Sequence, residues 1–505
     1  MISLNQFSGI EIDDFANKAA KLSLWIAQHQ MNTIYNNSIG KFRPTLPLSP
    51  SANIVNGNSN TIPWENVCKM EDDKKIFIIG NPPYLGSTYQ SPEQKKDLDI
   101  IFEGKKNYKN LDYISCWFVK AANFICKSKG NIQSAFISTT SICKGEQVSM
   151  LWPNILKLKN VEIGFCYQDF KWSNNAKFNA GVICNIISLR NKDKNDKFIF
   201  KDNIKIKVKN ISPYLIEGSN VIINKEKKPL SELPLMNYGN KLVDGGNLIL
   251  SNEEKDNLLK ENPENKRFIK KLMGAEEYIN GKKRYCLWIK KDDLDKAYES
   301  EIIRKRTKKV EAFRLNSKDK GANKLSSTPY RFRDIRETEK SSIIIPRLQS
   351  ERRNYIIVGF LTKDTIVADS SHVIYEPPTY VFSILSCRHQ TLWTILSGGT
   401  HGSTLRYSIS LCYNTFPLKK LSVSEKEDLE KIALKIIDVR EKYTHKTLAE
   451  IYDPNDMPKD LFSIHKELDN LVDKIFGIKQ NSSDKDKTEF LIKEYEKYIS
   501  NNILI

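Results

Sequence analysis

Apolar and polar positions alternate along this chain with two different periods, and each change of period marks an element. Phe7-Ser8-Gly9-Ile10-Glu11-Ile12 is apolar with β-branched residues and reads as a strand running into acid. Over residues 14–30 apolar positions return at helical spacing, at Phe15, Ala19, Leu22 and Ile26. A stretch rich in Asn, Ser and Pro then reads as loop to about Asn60. Ile76-Phe77-Ile78-Ile79-Gly80 is a continuous apolar run, the pattern of a strand buried on both faces, and Asn81-Pro82-Pro83 stops it because proline cannot continue the pairing. An amphipathic helix is predicted over 112–128, with Ile114, Trp117, Phe118, Ala121 and Ile125 on one face. Strands follow over 135–139, 161–165 and 181–189. Strands alternating with helices predict a layered α/β domain with a mostly parallel sheet, fading at the charged turn 191–194.

From about 230 to 420 the pattern becomes one of short strands, Gly and Asn turns and basic clusters, such as Lys282-Lys283-Arg284, residues 304–309 and Arg352-Arg353. This reads as an α+β region facing a polyanion. After Pro417 the chain turns helical. Ser424 with Glu427 has capping-box spacing, ahead of a face made of Leu429, Ile432, Ile436 and Val439. A second helix is predicted over 459–476, then a loose polar stretch at 480–487 and a last short helix. The domains expected are therefore 1–200, a linker at 201–229, 230–420 and 421–505.

Composition narrows the partners. Lys and Arg number 79 against 61 Asp and Glu, a formal charge of +18, which favours nucleic acid or an acidic membrane surface. The apolar runs are strand-sized, so no membrane segment is expected, and the N-terminus does not read as a signal peptide. The nine cysteines are scattered without a C-x-x-C pair, so no metal site is expected and a reducing cytoplasm fits.

The candidate chemistry lies at Asn81-Pro82-Pro83-Tyr84. In an open α/β sheet, ligands bind beyond the carboxyl ends of strands, and this tetrapeptide sits at such an end. An exocyclic amine conjugated to an aromatic base is a poor nucleophile. The Asn81 side-chain carbonyl and the Pro82 backbone carbonyl can each accept one of its hydrogens, favouring a pyramidal nitrogen with a free lone pair. The prolines stiffen the loop, and Tyr84 offers a face on which a flipped base can stack.

With these residues the chain resembles the amino-group DNA methyltransferases that use S-adenosylmethionine, in the gamma order with the catalytic motif before the specificity region. Gly9-Ile10-Glu11-Ile12-Asp13 is similar to the family's second motif, which implies that Glu11 binds the cofactor ribose with Ile12 beside it. Asn53-Ile54-Val55-Asn56-Gly57-Asn58 resembles the next motif and implies Asn58 near the cofactor adenine. Phe170-Lys171-Trp172-Ser173-Asn174-Asn175 resembles the motif whose aromatic stacks on the target base, which implies Phe170, with Trp172 as the alternate.

The second half resembles one subfamily, the large single-chain restriction–modification enzymes in which nuclease, methyltransferase and target recognition share a polypeptide. The resemblance is carried by residues 240–248, Pro346-Arg347 with Ser350-Glu351-Arg352-Arg353, Arg406-Tyr407-Ser408 with residues 413–417, and residues 448–454. It implies double-stranded DNA as partner, with Arg347, Arg352, Arg353 and Arg406 as its contacts. Within 398–406, the adjacent pair Gly398-Gly399 allows close backbone approach and Arg406 can pair with guanine or contact phosphate.

The fold implied is an α/β Rossmann-like methyltransferase domain, then an α+β target-recognition domain and a helical C-terminal region. The family places a strand and a glycine-rich cofactor loop before the second motif, and Met1 leaves only ten residues ahead of Glu11. The expectation is therefore a domain lacking that central strand, with exposed sheet edges and apolar surface. A separately encoded N-terminal fragment carrying the loop and a nuclease would complete it. The activity implied is methylation of adenine N6, Asn at the first motif position favouring adenine over cytosine N4. The alternative is a DNA-binding specificity subunit or an inactive remnant.

Overall fold

The computed structural model describes residues 3–40, 52–71, 74–128, 131–172, 182–401 and 404–503. Contacts divide the chain into two compact units: Met1–Cys143 with Gln147–Ile222, and Lys144–Glu146 with Ile223–Ile505.

The first unit opens with strand β1 (Ser8–Glu11) and helix α1 (Asp14–Ile39). The Asp13 side chain accepts the Ala16 N–H at 2.8 Å, and Gly40 ends the helix at φ 74°. β1 pairs in parallel with β2 (Asn53–Asn56), which corrects the expectation of loop to Asn60. Two of the four β2 residues are Asn, which disfavours a strand by composition. Tertiary bonds make up for it: Asn53 Nδ2 reaches Val67 O at 2.7 Å, and Asn17 Nδ2 reaches Ile54 O at 3.2 Å.

The main sheet holds β3 (Ile76–Gly80), β4 (Ile132–Thr139), β5 (Val161–Lys171), β6 (Ile183–Asn191), β7 (Lys197–Lys201) and β8 (Ile204–Val208), in the order β3-β4-β6-β5-β7-β8. It is mixed, which corrects the mostly parallel sheet. β3–β4 and β5–β7 are parallel, while β4–β6, β5–β6 and β7–β8 are antiparallel. The reason is that helical crossovers stop after β5 and the later strands return without one.

β3 is also not buried on both faces. Among the described residues it is an edge strand paired only with β4, and Phe77 and Ile79 are 68% and 82% exposed. Helix α2 (Pro92–Ile101) follows it. Helix α3 (Ser115–Lys127) supplies much of the core, with Cys116, Phe118, Val119, Ala121, Ala122, Phe124 and Ile125 buried. Phe118 meets Phe136 of β4 edge-on at 5.4 Å. α3 starts three residues later than its apolar pattern, because Asp112 to Ile114 form a turn bound by the Asp112 carboxylate.

The second unit carries three small sheets. β9 (Asn237–Tyr238) lies at the edge of the sheet β15-β13-β17-β9, with β13 (Ser342–Pro346), β15 (Gly359–Leu361) and β17 (Ser371–Tyr375). β10 (Ile249–Leu250), β11 (Ile269–Met273), β12 (Tyr285–Leu287) and β16 (Thr365–Val367) form the second, ordered β10-β12-β11-β16. β14 (Leu348–Ser350), β18 (Gly399–His401) and β19 (Thr404–Arg406) form the third, ordered β14-β19-β18. One core gathers Leu248, Leu250, Phe268, Leu287, Ile303 and Phe332.

Helix Val423–Glu441 buries Leu429, Ile432, Ile436 and Val439, as its spacing predicts. Its capping box is Ser422 with Glu425, and Ser424 lies inside the first turn. S-x-x-E spacing occurs twice at this helix start, and Ser422 is the residue with extended cap geometry. Helix Lys459–Phe476 agrees with its pattern.

The stretch expected to be loose at 480–487 runs into a helix of 20 residues, Asp484–Ile503. Lys487 is buried and holds both Asp473 carboxylate oxygens at 2.7 Å. His389 Nε2 lies 2.9 Å from the same carboxylate. One turn earlier, Asp469 accepts the Tyr355 hydroxyl and the Arg388 N–H, each at 2.8 Å.

Candidate active site

The Asn81-Pro82-Pro83-Tyr84 loop leaves the carboxyl end of β3 with no regular structure. Its upstream end is fixed by pairing of Gly80 with Phe136. Its downstream end is fixed at Leu85, where both backbone groups are held. The Leu85 N–H donates to Asp112 Oδ1 at 2.9 Å. The Leu85 carbonyl accepts from Tyr113 N–H at 3.0 Å and from Gln90 Nε2 at 2.8 Å. Asn81 and Pro83 are exposed, Pro82 is buried and Tyr84 is half-buried.

The Tyr84 hydroxyl bonds to the Cys184 sulfur, and burial, followed by that thiol and then the Asp112 charge, raises its pKa. Cys184 lies opposite Thr139 of β4 on one side and Phe170 of β5 on the other. Just before Phe170 the β5–β6 register shifts, between Tyr167 and Phe170. Asp169 has a positive φ of 35° there, and its N–H is caught at 2.7 Å by the buried Asn185 side chain. The bulge thus delivers half-buried Phe170 beside the residue that holds Tyr84. Trp172, also half-buried, continues the pairing toward Val182. Ser173, Asn174 and Asn175 of the same motif lie outside the described residues.

Glu11 stands at the carboxyl end of β1. Its Oε1 accepts the Ile12 N–H at 3.0 Å, and Ile12 is 69% exposed. The backbone carbonyls of Glu11 and Ile12 accept from Asn56 Nδ2 at 3.1 and 3.2 Å, tying this end to β2. Asn58 faces inward instead. Its Nδ2 binds the Asp97 carboxylate of α2 at 2.9 and 3.1 Å, and its Oδ1 accepts the Asn60 N–H at 2.8 Å. Asn58 therefore builds the loop, with Tyr113 donating to Asp97 at 2.5 Å and Lys120 Nζ bonding the Ser59, Asn60 and Ile62 carbonyls at 2.6 to 3.1 Å. Burial pushes Lys120 down to about 8. Asn60 Oδ1 is buried without a partner among the described residues.

The four basic candidates fall into two pairs. Arg347 is half-buried, donates to Asp369 O at 2.9 Å and lies over the Tyr238 ring at 5.7 Å. Arg406 is exposed on β19, opposite Leu348 and Gly399. Both charges act on buried His372, whose pKa is pushed down to about 4 chiefly by burial. Arg352 lies instead 3.8 Å from Asp453, whose charge also acts on Arg353. Gly398 spends its lack of a side chain inside the protein: a Cβ would meet Thr394 O at 2.5 Å and Arg406 O at 2.9 Å. Gly402 and Ser403 lie outside the described residues.

Sequence reasoning did not single out Asp112, Gln90, Lys120 or Cys184. The available signal was Asp112, an acid just ahead of an apolar helix, where such residues bond backbone amides.

The layered α/β unit has the Rossmann-like methyltransferase fold, and it precedes strands and helices of the target-recognition kind. Family models agree in that order. The MmeI DNA-methyltransferase domain matches residues 1–201, the MmeI target recognition domain 217–420 and the MmeI C-terminal domain 422–503. The chain is similar to the Type IIL restriction–modification enzyme MmeI, solved in complex with DNA. Identity is 36% and the TM-score 0.88, over 99% of this chain and 67% of that one. It is also 42% identical over 497 residues to DNA methyltransferase A of Bacillus subtilis (strain 168), which covers 98% of this chain and 56% of that relative's length. The chain belongs to the MmeI family.

Proposed function

We propose that this chain is the modification and target-reading part of a restriction–modification system, methylating adenine N6 in double-stranded DNA from S-adenosylmethionine. The observation that carries this reading is the loop Asn81–Tyr84, pinned at both ends, with Tyr84 and Phe170 both beside Cys184. Asn81 Oδ1 and the Pro82 carbonyl accept the two amine hydrogens, so the nitrogen lone pair is free as the amine becomes pyramidal. Tyr84 and Phe170 stack on the flipped base. Glu11 and Ile12, with the loop built by Asn58, hold the cofactor, which when bound supplies an electrophilic methyl group. Arg347 and Arg406 contact DNA together, and Arg352 and Arg353 form a second contact.

The free edges of β1 and β3, with Ile12, Phe15, Phe77 and Ile79 exposed, support one further element of the reading. A further strand bearing a glycine-rich loop docks between them and completes the cofactor site. Methylation-sensitive sequencing of the host genome with and without the gene tests the function. Asn81→Ala should lower turnover about 10²-fold or more while DNA affinity holds. Near-normal methylation by that variant would overturn the assignment.

A further inference from the structure

We propose that Asp112 is a positioning residue: its carboxylate fixes the downstream end of the Asn81–Tyr84 loop and so sets where Asn81 Oδ1 and the Pro82 carbonyl stand. This rests on the reading of that loop as catalytic. Pro82 and Pro83 have no N–H, so the tetrapeptide cannot anchor itself through a ladder of its own. It is a short bridge between two pins, the Gly80–Phe136 pairing and Leu85.

Asp112 is buried, 7% exposed, and a buried carboxylate must be matched by donors. Its Oδ1 takes the Leu85 N–H at 2.9 Å and the Ile114 N–H at 3.2 Å, and Ser141 bonds the same carboxylate. Capping the turn into α3 requires only the Ile114 bond. The shorter one, to Leu85, spans 27 residues and has no part in starting the helix. Asp112 is itself held, its N–H donating to Gln147 Oε1 at 2.9 Å, while Gln147 Nε2 reaches Asn110 O at 2.7 Å. The carboxylate is thus fixed to the α3 and α4 (Glu146–Leu156) side of the unit rather than to the loop it restrains.

The test compares the full chain with Asp112→Ala, Asp112→Asn and Asn81→Ala. The first readout is amide hydrogen exchange of the peptide containing Leu85, which needs no turnover. In Asp112→Ala this exchange should rise roughly 10- to 100-fold, the worth of one hydrogen bond to a charged group, while β4 stays protected. In Asp112→Asn the amide oxygen still accepts, and the change should stay within about threefold. The second readout is single-turnover methyl transfer in the reconstituted enzyme. Asp112→Ala should lose roughly 10- to 100-fold in rate with DNA affinity unchanged, and Asp112→Asn should recover most of it.

Unchanged exchange at Leu85 in Asp112→Ala overturns the proposal. So does a rise shared equally by α3 and β4, which would mean general loosening. Full activity of Asn81→Ala would remove the catalytic reading instead, and the exchange result would still decide whether Asp112 pins the loop.

Discussion

Acid should loosen the recognition unit through one imidazole, His372. It is 1% exposed on β17, with Nε2 3.1 Å from Tyr407 O and Nδ1 buried without a partner among the described residues. Burial first, then the Arg347 and Arg406 charges, hold its pKa at about 4, against 6.5 when free. The unfolded chain therefore binds a proton between pH 6.5 and 4 that the folded chain refuses, and stability falls as pH falls through that window. At pH 5 the unfolded imidazole is almost fully protonated and the folded one mostly neutral, so the loss is about 2 kcal/mol relative to pH 7. Glutamine at this position keeps a donor for the Tyr407 carbonyl and does not titrate. Urea unfolding of the native chain and of His372→Gln, at pH 7 and pH 5, measures the difference. The native chain should lose about 2 kcal/mol more than the variant. Every other titrating group, including buried His465 and Asp469, is common to both proteins and cancels. Equal losses in the two proteins would refute the reasoning.

Two further outcomes follow from the site. Arg406→Ala should either weaken binding to all DNA sequences with a shallower salt dependence, which marks a phosphate contact, or relax preference at one base pair, which marks readout; binding across target variants at several salt concentrations separates them. A polypeptide of residues 1–505 should bind S-adenosylmethionine weakly in calorimetry, by about a thousandfold if roughly four kcal/mol of contacts are missing, and an added strand bearing a glycine-rich loop should restore binding; tight binding without it would show the cofactor site to be misplaced.

The parts of this fold legible in sequence are those set by local period. α3 and the helices Val423–Glu441 and Lys459–Phe476 stand close to where apolar spacing puts them, while α1 starts at the expected residue but runs on to Ile39 rather than Gln30. Strand direction was not legible, because pairing with β4 or β7 depends on connections rather than on the residues of β5 and β6. β3 misled for a related reason. An apolar run identical to that of a central strand is exposed at an edge, since nothing in five residues records whether a neighbour is present.

At the site, the tetrapeptide was legible because its chemistry demands particular residue types in sequence. The groups that hold it were not. Asp112, Gln90 and Cys184 reach the loop through space, and each alone reads as an ordinary helix cap, surface amide or core thiol. Asn58 shows the converse: a motif position whose side chain is occupied by Asp97.

The bonds around helix Lys459–Phe476 bear on how such recognition parts can be exchanged. Family boundaries fall between 420 and 422. Yet Tyr355, Arg388 and His389 on one side of that boundary are matched by Asp469 and Asp473 on the other. A graft of the strands alone would take the Tyr355 hydroxyl from Asp469 and the His389 ring from Asp473, which keeps Lys487, and each buried acceptor left short of a donor costs about 1–3 kcal/mol. The transplantable module therefore runs from the start of the second unit through the last helix, and a chimera that moves the strands without the helices needs Tyr355 and His389 written into the donor sequence.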